Sequence, residues 1–155
     1  MFSYAEYRNI ITLVKQNLPI MDFSEVNDEV NAFCVLRHDI EFSIDRALQM
    51  ARIEHEDKIN CYAEDFFHYF SGEKPKDLRV HYLADSNHDW KYGHPFNVDY
   101  WDLPQKMQLL THPYSWTEEG YQNISNFTKL IKERNGELLT DMNSETKTFP
   151  KELLI

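Results

Sequence analysis

Three short clusters of polar side chains stand directly after apolar runs. They are Arg37-His38-Asp39 with Glu41, then Asp85-Ser86-Asn87-His88-Asp89-Trp90, then His112-Pro113. A carboxylate that takes a proton from water and an imidazole that returns one to a leaving group are the minimum for general acid–base hydrolysis. The same donors are the minimum for water activated on a bound metal ion. Each group also has a structural alternative. Asp39 can pair with Arg37 or cap the helix that follows. Asp85 and Asp89 are common turn residues. His112 can bond to nearby backbone ahead of Pro113. Trp90, Trp101 and Trp116 serve more often as packing groups than as platforms for a sugar. The seven histidines contain no HxH, HxxxH or HExxH spacing, so they form no complete metal signature of their own.

The elements that must position these clusters follow from hydrophobic spacing. Ala32-Phe33-Cys34-Val35-Leu36 is a continuous apolar run, the pattern of a parallel strand buried on both faces. Val80 to Asp85 and Met107 to Thr111 predict two further strands, and Ile59-Asn60-Cys61-Tyr62 another. Ser43 is placed to cap a helix with Ile44, Ala47, Leu48 and Ala51 on one face through about His55. Strand, helix and strand over residues 32–62 make a βαβ unit with a right-handed crossover. Residues 4–17 predict an amphipathic helix through Tyr7, Ile10, Ile11 and Val14, stopped by Pro19. Segments 21–31 and 86–105 read as loops and 71–79 as a linker. Thr117 would cap a helix from Glu118 to about Arg134, with Tyr121, Ile124, Phe127, Leu130 and Ile131 on one face. Gly136 would stop it, with a loose tail from Thr140. The class is α/β, and all three polar clusters fall at the C-terminal ends of strands, where parallel sheets gather their sites.

Composition bounds the rest. A chain of 155 residues fits one domain over 1–155. The net charge of 16 − 26 = −10 argues against a nucleic acid as partner, because phosphate binding needs clustered Lys and Arg. Cys34 and Cys61 stand apart and read as buried thiols in a reducing compartment. No secretory signal is read at the N-terminus, and no stretch reaches the roughly 18–20 apolar residues of a membrane span. A cytoplasmic location and no membrane partner are the expectations.

Residues 33–67, FCVLRHDIEFSIDRALQMARIEHEDKINCYAEDFF, resemble the opening βαβ unit of the polysaccharide deacetylase (NodB-homology) superfamily. The similarity is to the branch whose first motif reads R-H-D-V-D. HYLADSNHDWKYGHP, residues 81–95, resembles that branch's D-S-x-x-x-W segment, and LLTHPYSW, residues 109–116, its closing L-x-H-P-x-x-W motif. Together these passages cover about half of the chain.

The resemblance implies a distorted (β/α) barrel and metal-dependent removal of an N-acetyl group from an amino sugar in a carbohydrate. It implies zinc or another divalent metal. Asp39 matches the acidic residue of the first motif, as ligand or as base. His38 and Glu41 stand beside it as further metal donors. His112 matches the proton donor, and Arg37, Asp85, Trp90 and Trp116 match substrate-binding or supporting positions. The barrel is shortened or incomplete. Only residues 68–80 lie where the family has several strands and two metal-binding His, and such barrels usually need roughly 200–250 residues. His68 and His81 are the imidazoles nearest that gap. An incomplete barrel leaves strand edges that seek a partner. The alternative reading is therefore a non-catalytic carbohydrate- or protein-binding remnant, with a homo-oligomer as one way to cover those edges.

Overall fold

The computed structural model describes residues 2–27, 29–59, 80–101 and 106–153. They form two compact units, Met1–Tyr121 and Gln122–Ile155.

In the first unit, helix α1 spans Tyr4–Asn17, strand β1 Phe33–His38, helix α2 Ile44–Glu56, strand β2 His81–Ala84 and strand β3 Lys106–Thr111. The three strands are parallel and lie in the order β1-β3-β2, so the last in sequence is central. Among the described residues this sheet is open. The predicted strand at 59–62 falls almost wholly outside them, as do the 71–79 linker and His68. β1 also takes an isolated parallel bridge from Ile20 to Cys34.

β1 is buried on both faces, as its unbroken apolar run predicts. Cys34 and Leu36 join a core with Tyr7, Ile10, Ile11 and Val14 of α1, Met50 and Ile53 of α2, Leu83, Met107, Leu109 and Trp116. Phe33 and Val35 point the other way and pack with Val80. Burying each large apolar side chain contributes about 1.5–3 kcal/mol. Cys34 lies fully inside the core, and burial pushes its thiol far above the usual range. Cys61 lies outside the described residues.

α1 forms where predicted, with the Ser3 hydroxyl accepting from the Glu6 N–H as its cap. Ser43 caps α2 as expected, accepting from the Arg46 N–H. The buried face of α2 differs from the predicted one. Ala47 is inside, but Ile44, Leu48 and Ala51 are exposed, and the face runs through Arg46, Ala47, Met50, Ile53 and Glu54. Two charged residues have interior partners, which rotates the helix away from its apparent apolar stripe.

In the second unit, helix α3 spans Asn123–Glu145, later and longer than predicted. Thr117 does not cap it. Its Oγ1 accepts from the Gly120 N–H at 3.0 Å, closing a turn instead. Gly136 lies within α3 and does not stop it, since a glycine costs a helix only about 1 kcal/mol. The tail from Thr140 is helical to Glu145 rather than loose. No helix of the described residues is long and apolar enough to cross a membrane.

Candidate active site

The strand order brings the three polar clusters together. Each follows the C-terminal end of its strand, and β3 lies between β1 and β2. His112 after β3 is therefore flanked by Asp39 after β1 and Asp85 after β2. The backbone continues this alignment past the strands. The Asp39 N–H donates to the Thr111 carbonyl at 3.1 Å, and the Asp85 N–H reaches the Leu110 carbonyl at 3.4 Å.

Asp85 is fully buried and fully used. Its Oδ1 accepts from the His112 backbone N–H at 2.8 Å and from ring Nδ1 at 2.7 Å. Its Oδ2 accepts from the Trp116 indole Nε1–H at 2.6 Å. A carboxylate only accepts, so the His112 proton facing it sits on Nδ1, and Nε2 is the nitrogen turned toward the site. That Nε2 lies 3.9 Å from Asp39 Oδ2. The other oxygen, Asp39 Oδ1, accepts from Arg37 Nη2 at 2.7 Å.

Burial by itself pulls the His112 pKa down. The Asp85 hydrogen bond and the charges of Asp85, Asp39 and Glu41 outweigh it, and the net shift is upward. The site thus favours a protonated imidazole between two carboxylates. Such a group can donate a proton, and Asp39, a third exposed, can take one from solvent.

The remaining sequence candidates fall in different places. Glu41 is exposed and acts on His112 through its charge. Trp116 is buried beneath Asp85. Trp90 lies behind it, with ring centroids 6.4 Å from Trp116, 6.1 Å from Phe2 and 5.3 Å from His94. Both tryptophans support the site from the core side. His81 opens β2, at the end opposite the site. Three steps along the strand, at about 3.3 Å each, take the chain from it to Ala84. Burial lowers its pKa.

His38 turns inward. Its Nδ1 lies 2.6 Å from Thr111 Oγ1 and its Nε2 2.6 Å from Glu54 Oε1. The Tyr7 hydroxyl donates to the same Glu54 oxygen. Among the described residues the donors implied for zinc do not converge. Both His38 nitrogens are engaged, and no group of three His, Cys, Asp or Glu side chains is placed to hold a metal ion.

Four residues beside the site had no signal in the sequence. Tyr7, Glu54 and Thr111 complete the His38 contacts. Arg46, buried in α2, donates to the Tyr114 carbonyl and ties that helix to the turn at Pro113–Ser115. Glu54 and Arg46 look like ordinary surface charges on a helix. Only the fold gives them interior partners.

No family model matches the chain, and no curated protein or solved structure is similar enough to it to count as a match.

Proposed function

We propose that the protein is a deacetylase-type hydrolase acting on an N-acetylated amino sugar, with Asp39 and His112 as its acid–base pair. The observation that carries this reading is the position of His112. One ring nitrogen is held by the buried Asp85, and the other faces the part-exposed Asp39 at 3.9 Å. The order of the sequence motifs supports the same reaction class and the finer fold, a shortened (β/α) barrel of the deacetylase type.

In amide hydrolysis a water adds to the acetyl carbon, the C–N bond breaks, and the departing nitrogen must be protonated. Asp39 accepts the proton of the attacking water. His112 donates from Nε2 to the departing amine, leaving acetate and the free amino sugar. Asp85 holds the imidazole ring in place and stabilises its charged form, which keeps the donor loaded. Arg37 fixes the Asp39 carboxylate through one oxygen and leaves the other toward His112. No step here passes through a metal ion.

The test is release of acetate from N-acetylated oligosaccharides, measured with and without added zinc. Asp39→Asn and His112→Gln should each lower the rate by about 10²–10⁴-fold, the usual worth of a positioned acid or base. Turnover untouched by both substitutions would remove the assignment.

One observation favours a second reading, a non-catalytic binding module. Ile40 and Phe42, on the turn after Asp39, are 57% and 61% exposed. Phe42 also holds a φ of 58°, rare for a bulky side chain, with its ring 5.3 Å from that of Tyr114. Oligosaccharide binding without turnover, weakened by Phe42→Ala and kept in His112→Gln, would select this reading. Light scattering that shows a dimer would select self-association.

A further inference from the structure

We infer that His38 is a positioning residue that sets the spacing of Asp39 and His112, through a buried chain Tyr7–Glu54–His38–Thr111. The inference concerns the site proposed above, but its test needs no substrate.

The chain draws one residue from each of four elements. Tyr7 is on α1, Glu54 on α2, His38 closes β1 and Thr111 closes β3. All four are buried, with Glu54 at 2% exposure and Thr111 at 1%. As a carboxylate, Glu54 accepts from the Tyr7 hydroxyl and from His38 Nε2–H. In the neutral ring, His38 Nδ1 is then an acceptor, and the Thr111 hydroxyl donates to it at 2.6 Å. The ring has no nitrogen left for a ligand.

The geometry explains why this matters for the site. His38 and Thr111 are paired across β1 and β3. Each is the residue before a member of the acid–base pair. Their side chains are tied by one bond, and the Asp39 N–H is tied to the Thr111 carbonyl at 3.1 Å by another. These two links sit at the point where the strands end and the backbone is otherwise free to splay. Glu54 and Tyr7 hold the imidazole against rotation from the far side. A site that needs its groups placed within fractions of an ångström is supported in this way by neighbours that never touch substrate.

The experiment uses Thr111→Val, which removes the hydroxyl and keeps the shape, and Thr111→Ser, which restores it. The readout is the nuclear Overhauser contact between the Asp39 β protons and the His112 ring. The parent protein and Thr111→Ser should show it, and Thr111→Val should lose most of its intensity. A Thr111→Val protein with lower melting temperature but an unchanged contact would overturn the inference, because the bond would then serve stability alone. Zinc chloride added to the parent protein should leave the His38 ring resonances in place. Zinc that shifts them at stoichiometric concentration would return His38 to a ligand role and equally overturn it. If Thr111→Val fails to fold, Glu54→Met removes the acceptor that His38 Nε2–H and the Tyr7 hydroxyl share while keeping the side-chain length, and it is read by the same contact.

Discussion

Asp85 Oδ1 accepts two hydrogen bonds from a single residue, His112: the backbone N–H at 2.8 Å and the ring Nδ1 at 2.7 Å. The first fixes the turn after β3, and the second fixes the ring and the place of its proton. Asp85→Asn keeps the shape but removes the charge that opposes the burial of an imidazolium. His112 should then titrate at lower pH than in the parent protein, as followed by nitrogen-detected NMR of the ring. An unchanged midpoint would mean that Asp39 and Glu41 set it instead.

The raised pKa of His112 carries a consequence for stability. Its folded value lies above the unfolded one of about 6.5. Folding therefore binds the proton more tightly, and the resulting stability is fully present below that unfolded value. It is lost as pH rises through the folded value. Between pH 6 and pH 8 the stability that the parent protein holds over His112→Gln, read from urea denaturation, should shrink, because the lowered pKa of His81 and His88 acts alike in both proteins. Hydrolysis that depends on the protonated ring should lose its rate over the same upward interval.

How much of this could be read from the residues depends on what held each element. β1 is legible because burial on both faces leaves an unbroken apolar run, whereas β2 and β3 show shorter apolar stretches interrupted by His81 and Gln108. α1 was legible because only one of its faces is buried. α2 is legible from its Ser43 cap, but its buried face is not, since Arg46 and Glu54 are buried by polar contacts that hydropathy does not register. Asp39, Asp85 and His112 were each identifiable from their strand ends and motifs. Their order in space was not, because it follows from β3 taking the central place. The inward turn of His38 was hidden for the same reason, as its partners are 16 and 73 residues away in the chain.

Trp116 supplies the third hydrogen bond to Asp85, from Nε1 to Oδ2 at 2.6 Å, with both residues fully buried. Trp116→Phe keeps most of the ring volume and deletes this donor. A buried charged acceptor that loses a bond costs about 1.5–3 kcal/mol. The unfolding free energy from urea denaturation should drop by that amount, whereas Trp116→Ala should lose more because it also opens a cavity. A loss confined to Trp116→Ala, with Trp116→Phe as stable as the parent, would show that packing alone is at stake.

Gly120 and Gly136 should respond to alanine with opposite signs. Gly120 has a φ of +71°, and a Cβ there would lie 2.9 Å from the Ser3 Cβ, 3.1 Å from its nitrogen and 3.3 Å from its Cα. Ser3 cannot easily retreat. Its strand-like bridge to Thr117 is closed by the Tyr4 N–H to the Thr117 carbonyl at 2.9 Å and by the Thr117 N–H to the Phe2 carbonyl at 3.1 Å. Gly120→Ala therefore meets both a left-handed backbone and fixed main chain, each worth about 1–2 kcal/mol. A loss of about 2–4 kcal/mol is expected. Gly136 lies inside α3 with nothing within 4 Å of its would-be Cβ. There alanine gains helix propensity of about 0.8–1.0 kcal/mol with no clash. Urea denaturation reads Gly120→Ala in the first unit, and helix content on heating reads Gly136→Ala in the second. A neutral Gly120→Ala would mean that the segment from Thr117 to Gly120 yields, and that the bridge from Ser3 does not hold the turn leading out of the site.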